Sequence, residues 1–288
     1  MFEVEASEGV EFMNRLFIVE GLPGSGKTTF ARKLAEKLSQ TNETVQVFVE
    51  GDLHPADLAW CACLTQEEYR EVLSQFPLYE QAIEQNKIEY KEYSIIAYTQ
   101  IPMIPDELVQ YFEAHELYDG RKGKELFCEL HKSRWEKFGN DAKGMFVFEC
   151  ALLQNHVNEL LLFQNASNHE IFEYINELSL AVQNLKPVVI YLDVDANSSI
   201  KRAADERVDS HGNRIWESRV VDYLANSPYG KRKGLTGIDG LYRYFEERKE
   251  LERELLEKLP VEKQIISFEL GNQNEIVEQV IRSICESI

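Results

Sequence analysis

Residues 21 to 28 read G-L-P-G-S-G-K-T and carry the most specific chemistry in the chain. They fit the pattern G-x-x-x-x-G-K-[ST], in which glycines adopt backbone angles closed to other residues and successive N–H groups form a cradle for phosphate. The sequence predicts that this cradle consists of Gly21, Leu22, Pro23, Gly24, Ser25, Gly26, Lys27, Thr28 and Thr29. We expect Lys27 to reach the β- and γ-phosphates of a nucleoside triphosphate and the Thr28 hydroxyl to hold Mg²⁺.

The segments on either side of this loop provide the context that the motif requires. RLFIVE, residues 15 to 20, has the apolar run of a buried strand, and FARKLAEKL, residues 30 to 38, has helical spacing. A strand directly before the loop and a helix directly after it argue against a chance match in a glycine-rich turn, because the helix N-terminus itself attracts phosphate. The sequence therefore predicts nucleoside triphosphate binding.

Four further segments have the apolar character of strands. They are TVQVFVE (44 to 50), GMFVFE (144 to 149), PVVIYLD (187 to 193) and QIISFEL (264 to 270). Apolar strands separated by helical segments are typical of α/β proteins with a parallel sheet. The predicted fold is therefore an α/β P-loop NTPase with about five mainly parallel strands flanked by helices, and with a large helical insertion between strands 2 and 3.

The chain is predicted to form a single domain over residues 1–288 with two excursions from the sheet. Residues 53–143 are the insertion, where we expect the acceptor or partner region, and residues 205–240 are a polar, glycine-rich segment that we interpret as a lid. Three stretches of the insertion have helical character: DLAWCACLTQEEYREVL, PDELVQYFEAHEL and KGKELFCELHKSRWEKF. Between the first two, YSIIAYTQIPMIP contains Pro102 and Pro105 and is expected to be extended.

Three segments together resemble the P-loop kinases that act on nucleosides, nucleotides and other small molecules, most of all deoxynucleoside and thymidylate kinases. VEGLPGSGKTTF (19 to 30) is specific to P-loop proteins, whereas FVFECALLQN (146 to 155) and VIYLDVDANSSIKRAADER (189 to 207) are less specific. The resemblance implies ATP as co-substrate, with Mg²⁺. It covers the nucleotide-handling scaffold and leaves the acceptor open.

Carboxylates follow predicted strands 2 and 3. In the resembling kinases an acid after the second strand faces the acceptor hydroxyl and acts as a general base or orients the nucleophile. The resemblance gives this role first to Asp52 and second to Glu50. The alternative for Asp52 is a helix cap. Glu149 ends an apolar strand, where a buried carboxylate without a partner is costly. We therefore expect Glu149 to face Mg²⁺ beside Thr28. The alternative is a salt bridge at the edge of the sheet.

The chain has more acidic than basic residues, so basic side chains must lie close together at one place if the chain binds a triphosphate. In the resembling kinases, arginines of a lid close over the phosphates, and Arg202 and Arg207 match that region best. Their alternative is pairing with Asp205 or Glu206 on a helix surface. The tract of residues 231 to 233, K-R-K, is either part of the lid or a docking patch for an anionic partner.

The sequence shows no pattern for a transition metal. The six histidines form no H-x-x-x-H or H-E-x-x-H pair, so a zinc site is not expected, and His54 is interpreted as a structural hydrogen bonder. Asp193 and Asp195 follow strand 4, where Asp195 is expected to cap the next helix. The five cysteines are scattered and are expected to be reduced thiols.

Charge limits the possible partners. Lys and Arg number 31 against 50 Asp and Glu, a net charge of −19, which disfavours nucleic acid and anionic membranes. No apolar run approaches the ~18 residues of a membrane span, and MFEVEASEGVEF lacks the basic flank of a signal peptide. A cytoplasmic location is therefore expected.

The predicted function is transfer of the γ-phosphate of Mg²⁺–ATP to a small-molecule acceptor. Lys27, Asp52, Arg202 and Arg207 would be catalytic, and Thr28 and Glu149 would hold the metal. Two alternatives remain open: an NTPase that hydrolyses ATP or GTP without an acceptor, and a nucleotide-regulated binding protein. A homodimer through the closing helix or through YRYFEERKELERELLEKL is possible, although that segment fits better as a solvated helix packed on the sheet.

Overall fold

Strands and helices alternate along the chain. The structure is a computed structural model that describes residues 14–40, 44–269 and 273–286. Its strands are β1 (Arg15–Gly21), β2 (Val45–Phe48), β3 (Ala62–Thr65), β4 (Lys87–Tyr90), β5 (Tyr93–Ile96), β6 (Met145–Glu149), β7 (Pro187–Asp193) and β8 (Glu262–Ser267). Its α-helices are α1 (Lys27–Ser39), α2 (Gln66–Gln75), α3 (Glu80–Gln85), α4 (Asp106–Ala114), α5 (Lys124–Asp141), α6 (Gln154–Leu162), α7 (Asn168–Ala181), α8 (Ala196–Glu206), α9 (Ile215–Asn226), α10 (Pro228–Lys233), α11 (Gly237–Lys258) and α12 (Gln273–Glu286).

Five strands form one parallel sheet in the order β2-β6-β1-β7-β8. They are the five strands that the sequence predicts, and the α/β P-loop fold class is confirmed. Because β1 is central and its neighbours run parallel to it, the loop after β1 opens at the edge where β2 and β6 also end. The predicted fifth strand begins earlier than expected, at Glu262, and its predicted last residue, Leu270, lies outside the described residues.

Side chains of the central strand alternate between two apolar layers. Leu16 and Ile18 belong to the larger cluster, which includes buried side chains of α5, α6, α7 and α11. Phe17 and Val19 belong to the cluster that includes side chains of α1 and α12. This period of two is the geometry of a strand, and its burial on both faces explains why the sequence shows a continuous apolar run.

The insertion between β2 and β6 contains α2 to α5, and it also contains a sheet that the sequence analysis did not predict. β3, β5 and β4 pair antiparallel in that order, with β5 inside the stretch expected to be extended. The sequence predicts a helix from residue 57 onward, and this is wrong for residues 57 to 65, which include strand β3. The helix begins only after Thr65, because this residue and Glu68 form a capping box: Thr65 Oγ1 accepts from Glu68 N at 3.3 Å, and Glu68 Oε2 accepts from Thr65 N at 2.7 Å.

The segment interpreted as a lid is largely helical. α9 and α10 lie between α8 and α11, and the K-R-K tract forms part of α10. α11 buries one face in the larger apolar cluster through Leu241, Tyr244, Leu251 and Leu255, as expected of a solvated helix packed on the sheet. Closure of a lid and a homodimer stay predictions.

None of the helices in the described ranges combines the length and apolar character that a membrane span requires. The N-terminal segment for which the sequence predicts no signal peptide, residues 1 to 13, lies outside those ranges.

Gly139 lets α5 approach the end of α7. A Cβ built on Gly139 would lie 2.0 Å from the Ala181 carbonyl oxygen. An alanine in a helix normally stabilises it by about 0.5–1 kcal/mol relative to glycine. Here we expect Gly139→Ala to lower the free energy of unfolding by about 1–3 kcal/mol, because the backbones must separate. Urea unfolding measures this change in the free energy of unfolding, with Asn140→Ala at an exposed position as the control. A Gly139→Ala protein as stable as the wild type would contradict the close approach of the two helices.

Candidate phosphate site and adjoining cavity

The loop between β1 and α1 has the backbone conformation of a phosphate cradle. Gly21, Gly24 and Gly26 have φ angles of +140°, +80° and +93°, in the region that glycine alone adopts readily. Lys27 is 5% exposed and donates from Nζ to the Leu22 carbonyl at 2.9 Å, so its ammonium lies inside the curve of the loop. Backbone N–H groups and a lysine in this arrangement fit the phosphates of a nucleotide.

Helix α8 supports the cradle from outside. Ser199 Oγ donates to the Pro23 carbonyl at 2.7 Å, and a Cβ on Gly24 would lie only 2.1 Å from the Ser199 carbonyl oxygen. Asp195 begins this helix, accepting from Ser198 N at 2.8 Å, so the predicted cap is confirmed. The helix that the sequence placed after strand 4 therefore also fixes the phosphate loop.

Thr28, Glu149 and Glu50 meet at the carboxyl edge of the sheet. Thr28 Oγ1 donates to Glu149 Oε1 at 2.7 Å, and Glu50 N donates to Glu149 Oε2 at 3.2 Å. Glu149 is 4% exposed, and carboxylate oxygens of Glu50 and Glu149 lie within 4.8 Å of each other. The Thr28 hydroxyl and the Glu149 carboxylate are hard oxygen donors of the kind that Mg²⁺ prefers, so these two residues fit the ion that a triphosphate carries.

A cavity of about 230 Å³ brings the loop and the predicted lid arginines together. Besides Lys27, Thr28 and Thr29, its walls include Arg202 and Arg207. Of the other predicted cradle residues, Pro23, Gly24 and Gly26 line the cavity, whereas Gly21, Leu22 and Ser25 lie buried around it.

The two arginines of this cavity have protein partners as well. Arg202 Nε donates to Glu206 Oε1 at 2.7 Å, which is the surface pairing considered from the sequence. The Arg207 guanidinium lies over the Trp216 ring at 5.1 Å. Both side chains are thus held at the cavity wall, where a phosphate group can exchange with these contacts.

A second, larger cavity of about 390 Å³ adjoins the phosphate cavity. Five residues line both: Pro23, Glu50, Glu149, Gln154 and Trp216. Further walls of the larger cavity come from the loop after β2, the insertion, and helices α6, α9 and α11, with aromatic side chains such as Tyr118, Tyr223 and Tyr244. Aromatic walls with polar groups suit a small organic ligand.

Asp52 lines only the larger cavity and closes a turn. Its Oδ2 accepts from Val49 N at 2.9 Å, and its own N–H donates to the Val49 carbonyl at 3.0 Å. Gly51, at φ +96°, allows this turn. The alternative of a helix cap is wrong, because a strand rather than a helix follows in the insertion. Glu50 differs from Asp52 in lining both cavities.

His54 is a buried hydrogen bonder, as the sequence analysis proposed. Its Nδ1 accepts from Ala56 N at 3.1 Å and from Asp57 N at 2.7 Å, and its ring packs edge-on against Phe148 with centroids 4.1 Å apart. Burial lowers the pKa of His54 to about 4, so the ring is neutral and carries its proton on Nε2.

Other predicted polar residues lie away from the cavities. Asp193 forms ion pairs with Lys249 at 2.6 Å and Arg253 at 3.4 Å, so it has cationic partners of its own. In the K-R-K tract, Lys233 lies 3.6 Å from Glu247 and Arg232 bonds Asn165, and the tract lines neither cavity.

Sequence reasoning missed Glu20, the residue before the phosphate loop. Its carboxylate is fully buried and accepts from the N–H groups of Leu152 and Leu153 at 2.8 and 2.9 Å and of Gln154, the first residue of α6, at 3.1 Å. Burial raises the pKa of Glu20 to about 7. A glutamate inside an apolar strand, as in RLFIVE, was the available signal, since such a group requires partners.

The central parallel sheet and the glycine-rich loop with Lys27 and Thr28 define this chain as a P-loop NTPase-like, nucleotide-binding protein. The family model described as "Chromatin associated protein KTI12" matches residues 14–85. The matched region contains β1, the phosphate loop, α1, β2 and the beginning of the insertion. No curated protein matches the chain.

Gly24→Ala should weaken nucleotide binding. The added Cβ meets the Ser199 carbonyl, and a non-glycine residue at this φ costs about 1–3 kcal/mol, which corresponds to about 5- to 150-fold in affinity. Titration with a fluorescent nucleotide measures the change. Ser199→Ala, which keeps the space and removes one hydrogen bond, should have a smaller effect, and equal effects of the two variants would refute the steric argument.

His54→Asn should reduce the sensitivity of folding to acid. The pKa of His54 is about 4 in the folded protein, against about 6.5 in an unfolded chain. Between these two pH values only the unfolded state binds the proton, so the free energy of unfolding decreases as the pH is lowered. When the pH is lowered from about 6.5 to about 4.5, the free energy of unfolding should decrease by about 2 kcal/mol more in the wild type than in the variant. The other titrating groups are the same in both proteins, so their contributions cancel in this comparison. Urea unfolding at both pH values tests this, with exposed His211→Asn as control; equal losses would contradict a neutral, buried His54.

Proposed function

We propose that this protein transfers the γ-phosphate of Mg²⁺–ATP to a small-molecule acceptor, in the manner of nucleoside and nucleotide kinases. The observation that supports it is the pair of adjoining cavities, one around the phosphate loop and one with aromatic walls, which share Glu50 and Glu149. A second cavity of about 390 Å³ is large enough for a small organic acceptor, and a hydrolase, whose nucleophile is water, has no need of it.

The residues of the phosphate cavity would divide the work of positioning and charge neutralisation. Lys27 would steady the β- and γ-phosphates, and Arg202 and Arg207 would exchange their present partners for phosphate oxygens. Thr28 and Glu149 would hold Mg²⁺, directly or through water. When bound, that ion supplies charge neutralisation between the phosphates.

Glu50 and Asp52 are the candidates for orienting the acceptor hydroxyl. The sequence favours Asp52, but its carboxylate bonds the Val49 N–H and lines only the larger cavity. Glu50 lines both cavities beside Glu149, at the place where an acceptor would meet the phosphate. The geometry therefore supports Glu50 for this role, and Asp52 becomes the second candidate.

Two other readings of the sequence remain as alternatives. An NTPase without an acceptor, or a nucleotide-regulated binding protein, would use the same phosphate loop. Chromatin association, named in the description of the matching family, is not part of this proposal, because a net charge of −19 disfavours contact with DNA phosphates. A cytoplasmic location remains a prediction from the sequence.

The release of ADP from Mg²⁺–ATP tests the function. It is measured with and without a pool of nucleosides, nucleotides, sugars and aminoglycosides. Release that depends on the pool, and that Lys27→Ala abolishes while Lys37→Ala on the same helix does not, would support a kinase. Release that ignores the pool would support hydrolysis, and tight binding without release would support the binding protein.

Glu50→Gln should lower kcat by about 100-fold or more with the ATP dissociation constant unchanged, because it removes a carboxylate that acts on the acceptor. Asp52→Asn should have the smaller effect. Initial rates and ATP titrations of both variants measure this, with exposed Glu107→Gln as control. A larger loss in Asp52→Asn would return the role to Asp52, and unchanged rates in both would remove it from either.

A further inference from the structure

Two histidines and an aspartate meet in the interior beside the larger cavity. Asp57 lies in the loop after β2, His131 in α5 and His156 in α6, and their exposed fractions are 3%, 0% and 0%. One potential ligand atom of each lies within 4.8 Å of the others. The three residues are far apart in sequence, so no spacing motif announces them.

His131 is oriented with one nitrogen toward Asp57. Its Nδ1 lies 2.9 Å from the Phe127 carbonyl, which only accepts, so Nδ1 carries a proton. Its Nε2 lies 3.2 Å from Asp57 Oδ1. Histidines that bind metals are held in this way, with the nitrogen that does not bind the metal donating to a carbonyl or a carboxylate.

His156 has the same arrangement and an unused nitrogen. Its Nδ1 lies 3.2 Å from the Tyr174 hydroxyl, whereas Nε2 is buried and has no hydrogen-bond partner within the described part of the chain. When Nδ1–H donates to the Tyr174 oxygen, Nε2 presents a free lone pair, the form in which histidine binds metals.

Asp57 provides an oriented carboxylate. It accepts from Leu58 N at 2.7 Å, from the Tyr118 hydroxyl at 2.5 Å and from Asn155 Nδ2 at 2.7 Å. Carboxylates that bind metals are oriented by such hydrogen bonds.

We propose that Asp57, His131 and His156 bind a divalent transition metal ion, with Zn²⁺ the best match. Two nitrogens and one oxygen are a common zinc ligand set, and ligands at about 2.0–2.2 Å in tetrahedral geometry lie about 3.3–3.5 Å apart. The separation of 3.2 Å between His131 Nε2 and Asp57 Oδ1 is close to that value. His156 would move inward to complete the set.

A hydrogen-bond network without metal explains the contact between His131 and Asp57, but it leaves His156 Nε2 buried without a partner, which is costly. A metal ion satisfies that atom. The fourth ligand would enter from the side of the cavity, where the Tyr118 hydroxyl lies 3.3 Å from His131 Nε2 and both Tyr118 and Asp57 form part of the wall.

Such an ion would join three parts of the fold. It would tie the loop after β2 and helix α5 of the insertion to α6, which follows β6 of the central sheet. Metal binding would therefore stabilise the folded chain and fix a wall of the larger cavity. The inference does not depend on the proposed kinase function, because the three ligands are separate from the phosphate loop.

Metal binding by the full chain tests this site. The protein is stripped with a chelator and titrated with Zn²⁺, in competition with a chromophoric chelator, and separately with Co²⁺. We expect one ion per chain, a visible absorption of four-coordinate cobalt, and a melting temperature that rises with Zn²⁺. A wild-type protein that binds no stoichiometric Zn²⁺ or Co²⁺ would overturn the proposal.

Three variants locate the ion. His156→Gln should abolish stoichiometric binding, and Tyr174→Phe, which removes one hydrogen-bond partner of His156 and leaves its backbone bond to Ala151, should lower Zn²⁺ affinity by about 10-fold. His169→Gln, with a side chain 81% exposed, is the matched control and should bind like the wild type. Circular dichroism checks folding, and if His156→Gln does not fold, the Tyr174→Phe affinity decides alone.

Among the described residues there is one other cluster of possible metal ligands, formed by Glu50, Glu149 and Cys150. Binding of the ion at that cluster would contradict the proposal. Binding that persists in His156→Gln and Tyr174→Phe but is lost in Cys150→Ser would place the ion at the phosphate site and overturn the proposal. Loss in His156→Gln with full binding in Cys150→Ser would support it.

Discussion

The buried carboxylate of Glu20 is the constraint on which the site depends. It lies one residue before the end of the central strand, where it has no access to water, and it must find donors inside the protein. The N–H groups of Leu152 and Leu153, which precede α6, and of Gln154, its first residue, supply them. This fixes α6 directly beside the phosphate loop. α6 in turn carries Gln154 into both cavities, and it carries Asn155 and His156 to Asp57.

A second buried carboxylate holds the other side of α6. Glu159 accepts from Asp119 N at 2.7 Å and from Gly120 N at 3.0 Å, and so ties a turn of the insertion to the helix. Burial raises the pKa of Glu159 to about 7, as it does for Glu20. The insertion and the nucleotide-binding sheet are therefore joined by carboxylates that bond backbone N–H groups, which are geometrically demanding contacts.

Charge is distributed in keeping with two different ligands. The chain as a whole carries −19, yet Lys27, Arg202 and Arg207 meet at the phosphate cavity. In the larger cavity three acids have protein partners: the Tyr98 hydroxyl and Arg121 bond Glu116, the Tyr118 hydroxyl and Asn155 bond Asp57, and Arg121 and the Tyr223 hydroxyl bond Asp119. The phosphate cavity thus gathers three cations in an otherwise acidic protein, although Glu50, Glu149 and Glu206 also line it.

The sequence by itself determined the five strands of the α/β fold, the phosphate loop and the cap Asp195, because each of these signals depends on neighbours within a few residues along the chain. It also contained the capping box at Thr65, a local signal that the helical reading passed over. Only the tertiary structure decided the antiparallel sheet of the insertion, the shared lining of the two cavities, and the meeting of Asp57, His131 and His156. These depend on which distant segments pack together, and long-range packing leaves no fixed spacing in a single sequence.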